Sequence, residues 1–385
     1  MNIAIIGAGL MGRLIALSLL RSGKNITLLD KDTELAHNSA AYAAAGLLTP
    51  LGESLHCQKN IVAMGLASLR LWPTLLNSLN EYTFFQQTGA IMVSHEQDQG
   101  DYQHFIRHLK HNYAEQRVKH LDRKALTGLE PEIGRCFNQG LYLPQEGQLG
   151  NRRLLIALRE GLKQENYQGK FHWHSETLVT KISAQATNTQ VSYLQQETTK
   201  SQSFDLVIDC RGTGATVKHS QQNCAPLTDL RSVRGELFQL FAPDVNISRP
   251  IRLMHPRYQL YIAPKQKGFY VVGATEIESD DSSAMTVRSS MELLSAAYSV
   301  HPGFAEANIR QHISQCRPAF SDNQPQINID GTCIQVNGLY RYGFLIAPIV
   351  LAQVNSLVAN ISNSANKTLP YDCLLPVNYL SQELI

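Results

Sequence analysis

The sequence predicts a mixed α/β (α+β) fold, in which a domain built on a βαβ unit is interleaved with a domain built on an antiparallel sheet. At the start of the chain, an apolar strand at residues 3–6 precedes a glycine turn, a helical stretch and a second strand that ends at Asp30. This order fills about 30 residues, the length of one βαβ unit. Alternating apolar and polar residues over 233–275 predict successive antiparallel strands. Segments with the βαβ pattern of nucleotide-binding domains lie on both sides of this alternating block, so we expect two interleaved domains.

The other predicted elements follow Asp30 along the chain. They are, in order, a small-residue segment (38–50), a helix-like segment (60–80), a strand (90–94), a polar helical stretch rich in His and Lys, a helix (151–164), a strand with a glycine-rich turn (206–215), a helix-like segment (286–300), a strand (333–336) and an apolar run that ends near 354. No internal repeat or low-complexity linker interrupts them.

Composition excludes several classes of protein. The chain has 385 residues, and a prior of roughly one domain per 150 residues predicts two or three domains. A net charge of +2 lacks the basic excess of a dedicated nucleic-acid binder, so we expect no such partner. The seven cysteines are scattered, and no Cys-x-x-Cys pair occurs, which argues against a disulfide framework or a zinc site.

The apolar start of the chain does not have the pattern of a signal peptide. It lacks a basic region, and glycines interrupt it after four apolar residues. We also find no run that approaches the roughly 20 apolar residues of a membrane span. We therefore expect a cytoplasmic protein without a membrane-spanning segment.

The first motif is GAGLMG, in which Gly7, Gly9 and Gly12 have G-x-G-x-x-G spacing. It lies directly after a strand and opens a helix, and Asp30 ends the next strand, which together are typical of a Rossmann-like dinucleotide site. Such glycines let backbone amides approach a pyrophosphate, and the carboxylate accepts a hydrogen bond from a ribose hydroxyl. An ordinary tight turn is the less favoured interpretation.

Two further segments are ambiguous when they are considered alone. The small side chains of SAAYAAAGLL, residues 39–48, would let the backbone lie against a flat ligand, but an alanine-rich segment more often forms a helix, and we favour helix. The segment LVIDCRGTGA, residues 206–215, predicts a strand and a turn at Gly212 and Gly214, and a simple loop explains it equally well.

Three polar side chains stand in apolar surroundings. Tyr261 lies in an alternating strand, where packing in the core is the usual role of a tyrosine. Arg317 lies in a stretch otherwise poor in charge, and its forked guanidinium suits either a ligand carboxylate or an acid of the protein itself. Arg341 lies between two tyrosines before the apolar run, and it either faces a ligand or reaches water at a helix N-terminus.

Other chemistries lack their characteristic patterns. The close pairs His56-Cys57 and His172/His174 have no third ligand and no H-E-x-x-H frame, so we predict no metal site. No G-x-S-x-G elbow is present to support a serine hydrolase.

Taken together, IAIIGAGLMG, SAAYAAAGLL, VRGELFQL, LYIAPK, GFYVVGATE, CRPAFSDNQP and GLYRYGFLIAP resemble the flavin-dependent D-amino acid oxidase superfamily, and its glycine oxidase branch, associated with thiamine biosynthesis, in particular. The similarity extends from residue 1 to about 360 in consistent order. It implies FAD as the cofactor, and we expect the FAD to be bound non-covalently because no cysteine lies inside the C-terminal flavin motif. It also implies an FAD-binding domain formed by residues 1–85, 141–230 and 315–385 and a substrate-binding domain formed by 86–140 and 231–314.

The resemblance implies which residues contact FAD. The glycine motif holds the pyrophosphate, Asp30 the ribose, the alanine-rich segment the flavin ring, and the C-terminal motif the pyrimidine end of that ring, while Val179 contacts the adenine side. The whole implied set is Gly7, Gly9, Leu10, Met11, Gly12, Asp30, Lys31, Ser39, Ala45, Gly46, Leu47, Leu48, Val179, Cys210, Arg211, Gly212, Arg317, Gly338, Arg341, Tyr342, Gly343, Phe344 and Leu345.

The resemblance also implies the substrate site. Arg317 and Tyr261 correspond to the family's carboxylate-binding arginine and tyrosine, and Arg341 faces the flavin and the anionic substrate. Two positions depart from the family pattern. Tyr342 replaces its usual Asn, and Glu276 stands where glycine oxidase has a Met. A carboxylate at 276 accepts a substrate amine, favours a cationic side chain, or turns outward.

The implied reaction is oxidative deamination of a small amino acid, namely glycine, sarcosine or a D-amino acid. Hydride passes from Cα to flavin N5, which leaves an oxo acid and ammonia or an amine, with H2O2 if oxygen is the acceptor. The alternatives are an amino acid dehydrogenase with a quinone or another acceptor, an oxidase of carboxymethylamine groups in tRNA modification, and a non-catalytic accessory flavoprotein. A homo-oligomer is compatible with all of them.

Overall fold

The structure, a computed structural model, describes residues 1–164, 166–184, 187–216, 226–255, 260–363 and 368–380. Its helices are α1 (Leu10–Arg21), α2 (Lys59–Asn77), α3 (Gln99–Asn112), α4 (Arg123–Leu129), α5 (Pro131–Cys136), α6 (Asn151–Leu162), α7 (Val287–Val300) and α8 (Gly343–Asn363). Its strands are β1 (Asn2–Ile6), β2 (Asn25–Leu29), β3 (Leu47–Leu48), β4 (Phe85–Gln86), β5 (Ala90–Ser94), β6 (Lys119–Asp122), β7 (Gln139–Leu143), β8 (Gly147–Leu149), β9 (Phe171–His174), β10 (Leu178–Ala184), β11 (Thr189–Gln195), β12 (Thr198–Phe204), β13 (Leu206–Asp209), β14 (Arg231–Phe241), β15 (Ile251–Met254), β16 (Leu260–Pro264), β17 (Phe269–Gly273), β18 (Ile277–Glu278), β19 (Asn308–Ala319), β20 (Gln326–Asp330), β21 (Cys333–Asn337) and β22 (Val377–Tyr379).

The first sheet contains the predicted βαβ unit. Its strand order is β22-β20-β21-β13-β1-β2-β9, and β1 pairs in parallel with both β2 and β13. Both faces are covered, which explains why β1 is an unbroken apolar run. Ile3 and Ile5 pack in a core with α1, α2, α6 and α8, whereas Ala4 and Ile6 pack against the three-stranded sheet β10-β11-β12. The predicted mixed α/β fold is confirmed.

The second sheet is mainly antiparallel. Its strand order is β18-β14-β17-β16-β15-β5-β7-β6, with β19 beside β14, and β15 pairs with β5 in parallel. A separate core, to which α7 contributes, covers this sheet. Residues 258–259 of the strand predicted around Tyr261 lie outside the described residues. The strands of this sheet come from the predicted substrate-binding segments, except that β7 and β19 extend into the neighbouring segments 141–230 and 315–385. The domain boundaries stay a prediction.

One expectation from the sequence was wrong, and so was the statement that no apolar run approaches the length of a membrane span, whereas the absence of a spanning segment stays a prediction. Residues 39–48 form turns and the short strand β3 instead of a helix, because Gly46 adopts a φ of +68° and β3 pairs with β8. In addition, Tyr340–Asn363 is long and apolar enough to cross a membrane by length and composition. Most of that segment is buried, and α8 packs against α1 and α2 as a core helix would.

Candidate active site

A cavity of about 1500 Å³ extends from the glycine turn after β1 to the antiparallel sheet. It is larger than the roughly 300–1,000 Å³ of a typical small-ligand pocket, so it has room for a dinucleotide together with a second ligand. Most of the predicted site residues line it, namely Gly7, Gly9, Leu10, Met11, Asp30, Lys31, Ser39, Ala45, Gly46, Leu47, Cys210, Arg211, Gly212, Tyr261, Glu276, Arg317, Arg341, Tyr342, Gly343, Phe344 and Leu345.

The glycine turn has the geometry of a pyrophosphate site. Gly7 has a φ of +97°, and a Cβ there would lie 2.7 Å from the carbonyl oxygen of Cys210. A Cβ on Gly12 would lie 1.8 Å from the carbonyl oxygen of Gly7, so this glycine lets α1 begin against the turn. At Gly9 a Cβ would meet only Ser39, at 4.0 Å, which leaves the cavity side of the turn open. The amide end of α1 therefore faces the cavity, where it favours an anion.

Asp30 joins this turn to the end of β2. Its carboxylate accepts hydrogen bonds from the backbone amides of Ala8 and of Asp32, the latter at 2.7 Å. Burial raises the pKa of Asp30, and these two amide hydrogen bonds act in the opposite direction. The carboxylate therefore ties the turn to the next strand while it lines the cavity, as a ribose-binding acid would.

The alanine-rich segment crosses the middle of the cavity as an extended strap, which we define as residues 43–48. A Cβ on Gly46 would lie 2.4 Å from the carbonyl oxygen of Leu149, so the strap and β8 are in close backbone contact. The ammonium of Lys265 donates to the carbonyl oxygens of Ala45 (2.8 Å) and Leu149 (3.0 Å) and to Gln148 Oε1 (2.9 Å). Its enclosure lowers the pKa of Lys265 to about 7. The sequence analysis missed this residue.

Four predicted residues lie away from the wall of this cavity. Gly12 supports the turn from behind, and Leu48 is fully buried in the core. Gly338 has a φ of +73°, and a Cβ there would lie 2.2 Å from the ring of Phe320. Val179 lines a smaller neighbouring cavity of about 220 Å³, next to Asp30. Val179 is the residue for which a contact with the adenine side of FAD was predicted. The roles of all four residues stay predictions.

Tyr261 on β16 and Arg317 on β19 face the same cavity, although β17 and β14 lie between their strands in the antiparallel sheet. Arg317 donates from Nη1 to the carbonyl oxygen of Thr275 at 3.2 Å. Its guanidinium lies over Gly235, where a Cβ would be 2.1 Å from Nη2, so a side chain at this position would displace the guanidinium. Within the described ranges, no carboxylate lies at ion-pair distance from Arg317. The described residues therefore offer Arg317 no partner for a structural ion pair, and its guanidinium can bind an anionic ligand.

Arg341 has the opposite environment, because two acids of the protein bind it. Its Nε donates to Glu53 Oε2 at 2.9 Å, Nη2 contacts the same oxygen, and Nη1 donates to Glu276 Oε2 at 2.8 Å. Burial alone would lower the pKa of Arg341, but these carboxylates raise it, so the charge is permanent. Its side chain is 17% exposed, in the turn just before α8. It therefore forms part of a charge network at the cavity wall.

Tyr342, one of the two departures from the family pattern, is buried. Its hydroxyl donates to the carbonyl oxygen of His56 at 3.0 Å, and burial raises its pKa. The hydroxyl of Tyr342 thus binds another part of the protein, whereas its ring forms part of the cavity wall.

The sequence analysis also missed Glu53 and Arg252, which complete the charge network. Arg252 Nη2 donates to Glu53 Oε1 at 2.7 Å, so Glu53 bridges Arg252 and Arg341. Burial would raise the pKa of Glu53, but the two arginines lower it to about 2. An arginine within the apolar strand β15 was a usable signal for a buried polar partner, although it did not identify that partner.

Glu146 lies beneath this network, fully buried, and accepts the backbone amide of Gly52 at 2.8 Å. Burial raises the pKa of Glu146 from 4.5 to about 8. The folded state therefore holds a proton that the unfolded state releases at lower pH, and the stability from this group is present below pH 4.5 and lost as the pH rises through 8.

We expect the melting temperature of the wild type to fall by a few degrees more than that of Glu146→Gln between about pH 6 and pH 9. Parallel curves in differential scanning calorimetry would contradict this.

Comparison with known proteins decides the family. The family model described as FAD dependent oxidoreductase (DAO) matches residues 2–353. The chain belongs to this DAO family. The Rhizobium etli protein named as a thiamine biosynthesis oxidoreductase, ThiO, is 32% identical over 354 residues, which are 92% of this chain and 95% of that one. The predicted family is therefore confirmed, and the protein is an FAD-dependent oxidoreductase.

Two solved structures have the same fold. Glycine oxidase from Geobacillus kaustophilus matches with a TM-score of 0.79 at 21% identity, covering 99% of this chain and 98% of that chain. The dithionite-reduced L-α-glycerophosphate oxidase of Mycoplasma pneumoniae, solved with FAD bound, matches with a TM-score of 0.76 at 18% identity, over 99% and 98%.

The described residues fit FAD as the cofactor of this DAO protein. The open side of Gly9 and the amide end of α1 suit the pyrophosphate, and the carboxylate of Asp30 suits a ribose hydroxyl. The strap residues Ala45 to Leu47 offer backbone and small side chains to a flat ring. Cys210 lines the cavity, but burial raises its pKa well above the usual value, so its thiol is a poor nucleophile. Non-covalent binding of FAD stays a prediction.

Proposed function

We propose that this protein oxidises the α-carbon of a small amino acid, such as glycine, sarcosine or a D-amino acid. The observation that carries the proposal is Arg317, a guanidinium without an acidic partner in the described chain, which faces the same cavity as the glycine turn. Family membership supports redox chemistry with FAD, and the glycine oxidase fold supports an amino acid as the substrate.

The clamp formed by Arg317 and Tyr261 would bind the substrate carboxylate. A forked guanidinium forms two parallel charge-assisted hydrogen bonds with a carboxylate, and a phenol adds a third donor. Burial raises the pKa of Tyr261 to about 12, so its hydroxyl remains a donor at neutral pH. With the carboxylate held at two points, only the α-carbon and its amine remain free to turn toward the strap.

The two acids that bind Arg341, Glu53 and Glu276, are poor bases. Glu53 is bound by two arginines, which lower its pKa to about 2, and Glu276 has a lowered pKa because hydrogen bonds from Tyr340 and Arg341 outweigh the effect of its burial. Neither would take a proton from a substrate ammonium efficiently. We infer that the substrate binds with a neutral amine. Bound FAD would supply the redox chemistry, as the acceptor of the hydride from the α-carbon, while the residues of this chain bind and orient the substrate.

Apolar residues would keep water from the reacting carbon. Ala45, Leu237, Ala263, Val271 and Ile313 form a buried cluster behind the strap and around Tyr261. A dry wall strengthens the attraction between Arg317 and a carboxylate, because it lowers the local dielectric constant.

A spectroscopic titration tests the proposal. The purified, FAD-loaded protein is mixed under anaerobic conditions with glycine, sarcosine or individual D-amino acids while the long-wavelength flavin band is followed. We expect one of these compounds to bleach the band, and the oxo acid should appear in equal amount. Recovery of the band after air is admitted would identify an oxidase, whereas recovery only with a quinone would identify a dehydrogenase. A band that no amino acid bleaches would overturn the proposal.

A further inference from the structure

We propose that Glu276 makes this site selective against amino acids with a second carboxylate, by occupying the edge of Arg341 that such a carboxylate would bind. This inference rests on the proposed function. Two acids, Glu53 and Glu276, share the guanidinium of Arg341. Glu53 takes Nε and Nη2, and Glu276 takes Nη1 at 2.8 Å.

The two acids differ in how firmly they are held. The side chain of Glu53 is only 12% exposed and also binds Arg252, so it is a permanent part of the wall. The side chain of Glu276 is 48% exposed and directly precedes the short strand β18. Both Glu276 and Arg341 line the cavity that Arg317 faces. The Nη1 edge of Arg341 is therefore the edge that an incoming ligand would meet.

The balance of charge around the clamp suits one carboxylate. Arg252, Arg317 and Arg341 contribute three positive charges, and Glu53 and Glu276 contribute two negative ones. One substrate carboxylate at Arg317 neutralises the remainder. A second carboxylate would have to approach an arginine that is already neutralised, and it would stand beside the like charge of Glu276, which is unfavourable in a shielded site.

Removing the charge of Glu276 should reverse this preference. In Glu276→Gln a neutral amide takes the place of the carboxylate beside Arg341, so the repulsion of a second carboxylate is lost and one of the two negative charges that offset the guanidinium is removed. Because Glu53 still holds Nε and Nη2, the guanidinium should keep its position. The site would then bind one carboxylate at Arg317 and a second at Arg341.

Binding of unreactive carboxylates tests the inference without turnover. The FAD-loaded wild type and Glu276→Gln are titrated calorimetrically with acetate and with malonate, succinate and glutarate. We expect the dissociation constant of at least one dicarboxylate to fall about tenfold or more in the variant, as for a new charge-assisted contact. The constant for acetate should change by less than about threefold, because its partner Arg317 is untouched. Equal gains for acetate and all the dicarboxylates, or no gain for any of them, would overturn the inference.

Glu278→Gln is the matched control. Glu278 lies two residues further along, its side chain is 65% exposed, and it pairs with Arg231 at 3.2 Å instead of with Arg341. Glu278→Gln removes the same charge from the same segment as Glu276→Gln. An equal effect of Glu278→Gln on dicarboxylate binding would therefore also overturn the inference. Glu276→Ser, which leaves more space beside Arg341, provides a second variant if Glu276→Gln folds poorly.

The outcome separates this inference from the proposed function. A wild type that binds acetate but has no amino acid substrate would refute the proposed function, while the ratio of dicarboxylate to acetate binding would still decide the role of Glu276. A wild type that oxidises glycine with an unchanged ratio in Glu276→Gln would refute only the role of Glu276.

Discussion

Replacing Arg317 with Gln should lower kcat/KM for the amino acid substrate by about 10²–10³-fold, the loss expected when a buried charge-assisted carboxylate pair is broken. The clamp both binds the carboxylate and orients the α-carbon, so KM should rise and kcat should fall. Arg317→Lys should recover only part of the loss, because an ammonium lacks the planar fork. Steady-state kinetics on FAD-loaded variants with the best substrate of the wild type would measure these effects.

Arg310→Gln is the matched control for this prediction. Arg310 lies on the same strand, β19, but it is exposed and stacks on the ring of Phe241, 5.0 Å from its guanidinium carbon. Its replacement should leave both kinetic constants unchanged. If Arg317→Gln kept the KM of the wild type while it retained FAD, the carboxylate would have to bind elsewhere.

Replacing Gly12 with Ala should abolish FAD binding. The new methyl carbon would lie 1.8 Å from the carbonyl oxygen of Gly7 and 3.0 Å from its carbonyl carbon. Backbone atoms cannot yield as a flexible side chain can, so the turn after β1 or the start of α1 must move, and the amides that face the pyrophosphate move with it. We expect a colourless protein, or one with a small fraction of the wild-type ratio of flavin to protein absorbance.

Gly100→Ala separates this effect from a general effect of glycine replacement. Gly100 lies in α3, and a Cβ there would meet nothing within 4 Å. Alanine is preferred in a helix by roughly 0.5–1 kcal/mol, so this control should be slightly more stable and fully loaded with FAD. A Gly12→Ala protein with the flavin content of the wild type would contradict the assignment of the turn.

The nucleotide end of the site could be predicted from local sequence. Gly7, Gly9 and Gly12 determine a turn between a strand and the helix that follows, and the steric limits at these positions arise within one βαβ unit. Asp30 follows from the end of β2 in the same unit. The strap was harder to predict. An alanine-rich segment satisfies helix propensity, but pairing with β8 and the conformation of Gly46 override it.

The substrate end was only partly accessible to sequence reasoning. Considered as residues, Tyr261 was more readily explained by packing in the core and Arg317 suited an internal ion pair as well as a ligand, and only the resemblance to a family indicated a clamp. For Arg341 the two interpretations were contact with a ligand and exposure to water at a helix N-terminus. The structure places Arg341 on the cavity wall, where it also pairs with acids of the protein. Glu276 was left with three roles, and none of them was the contact with Arg341 that the structure shows.

The sequence by itself therefore determined the class of fold and the dinucleotide turn, since periodicity and glycine sterics act over a few neighbouring residues. It indicated the candidates for the clamp only through the resemblance to a family. Only the tertiary structure decided which charges meet. Glu53 is 199 residues from Arg252 and 288 residues from Arg341 along the chain, and Lys265 reaches a strap residue 220 positions away. Such pairs leave no periodic trace in a sequence, because a Coulomb interaction depends on distance in space and on burial, and both arise only when the two sheets and their loops have folded around one cavity.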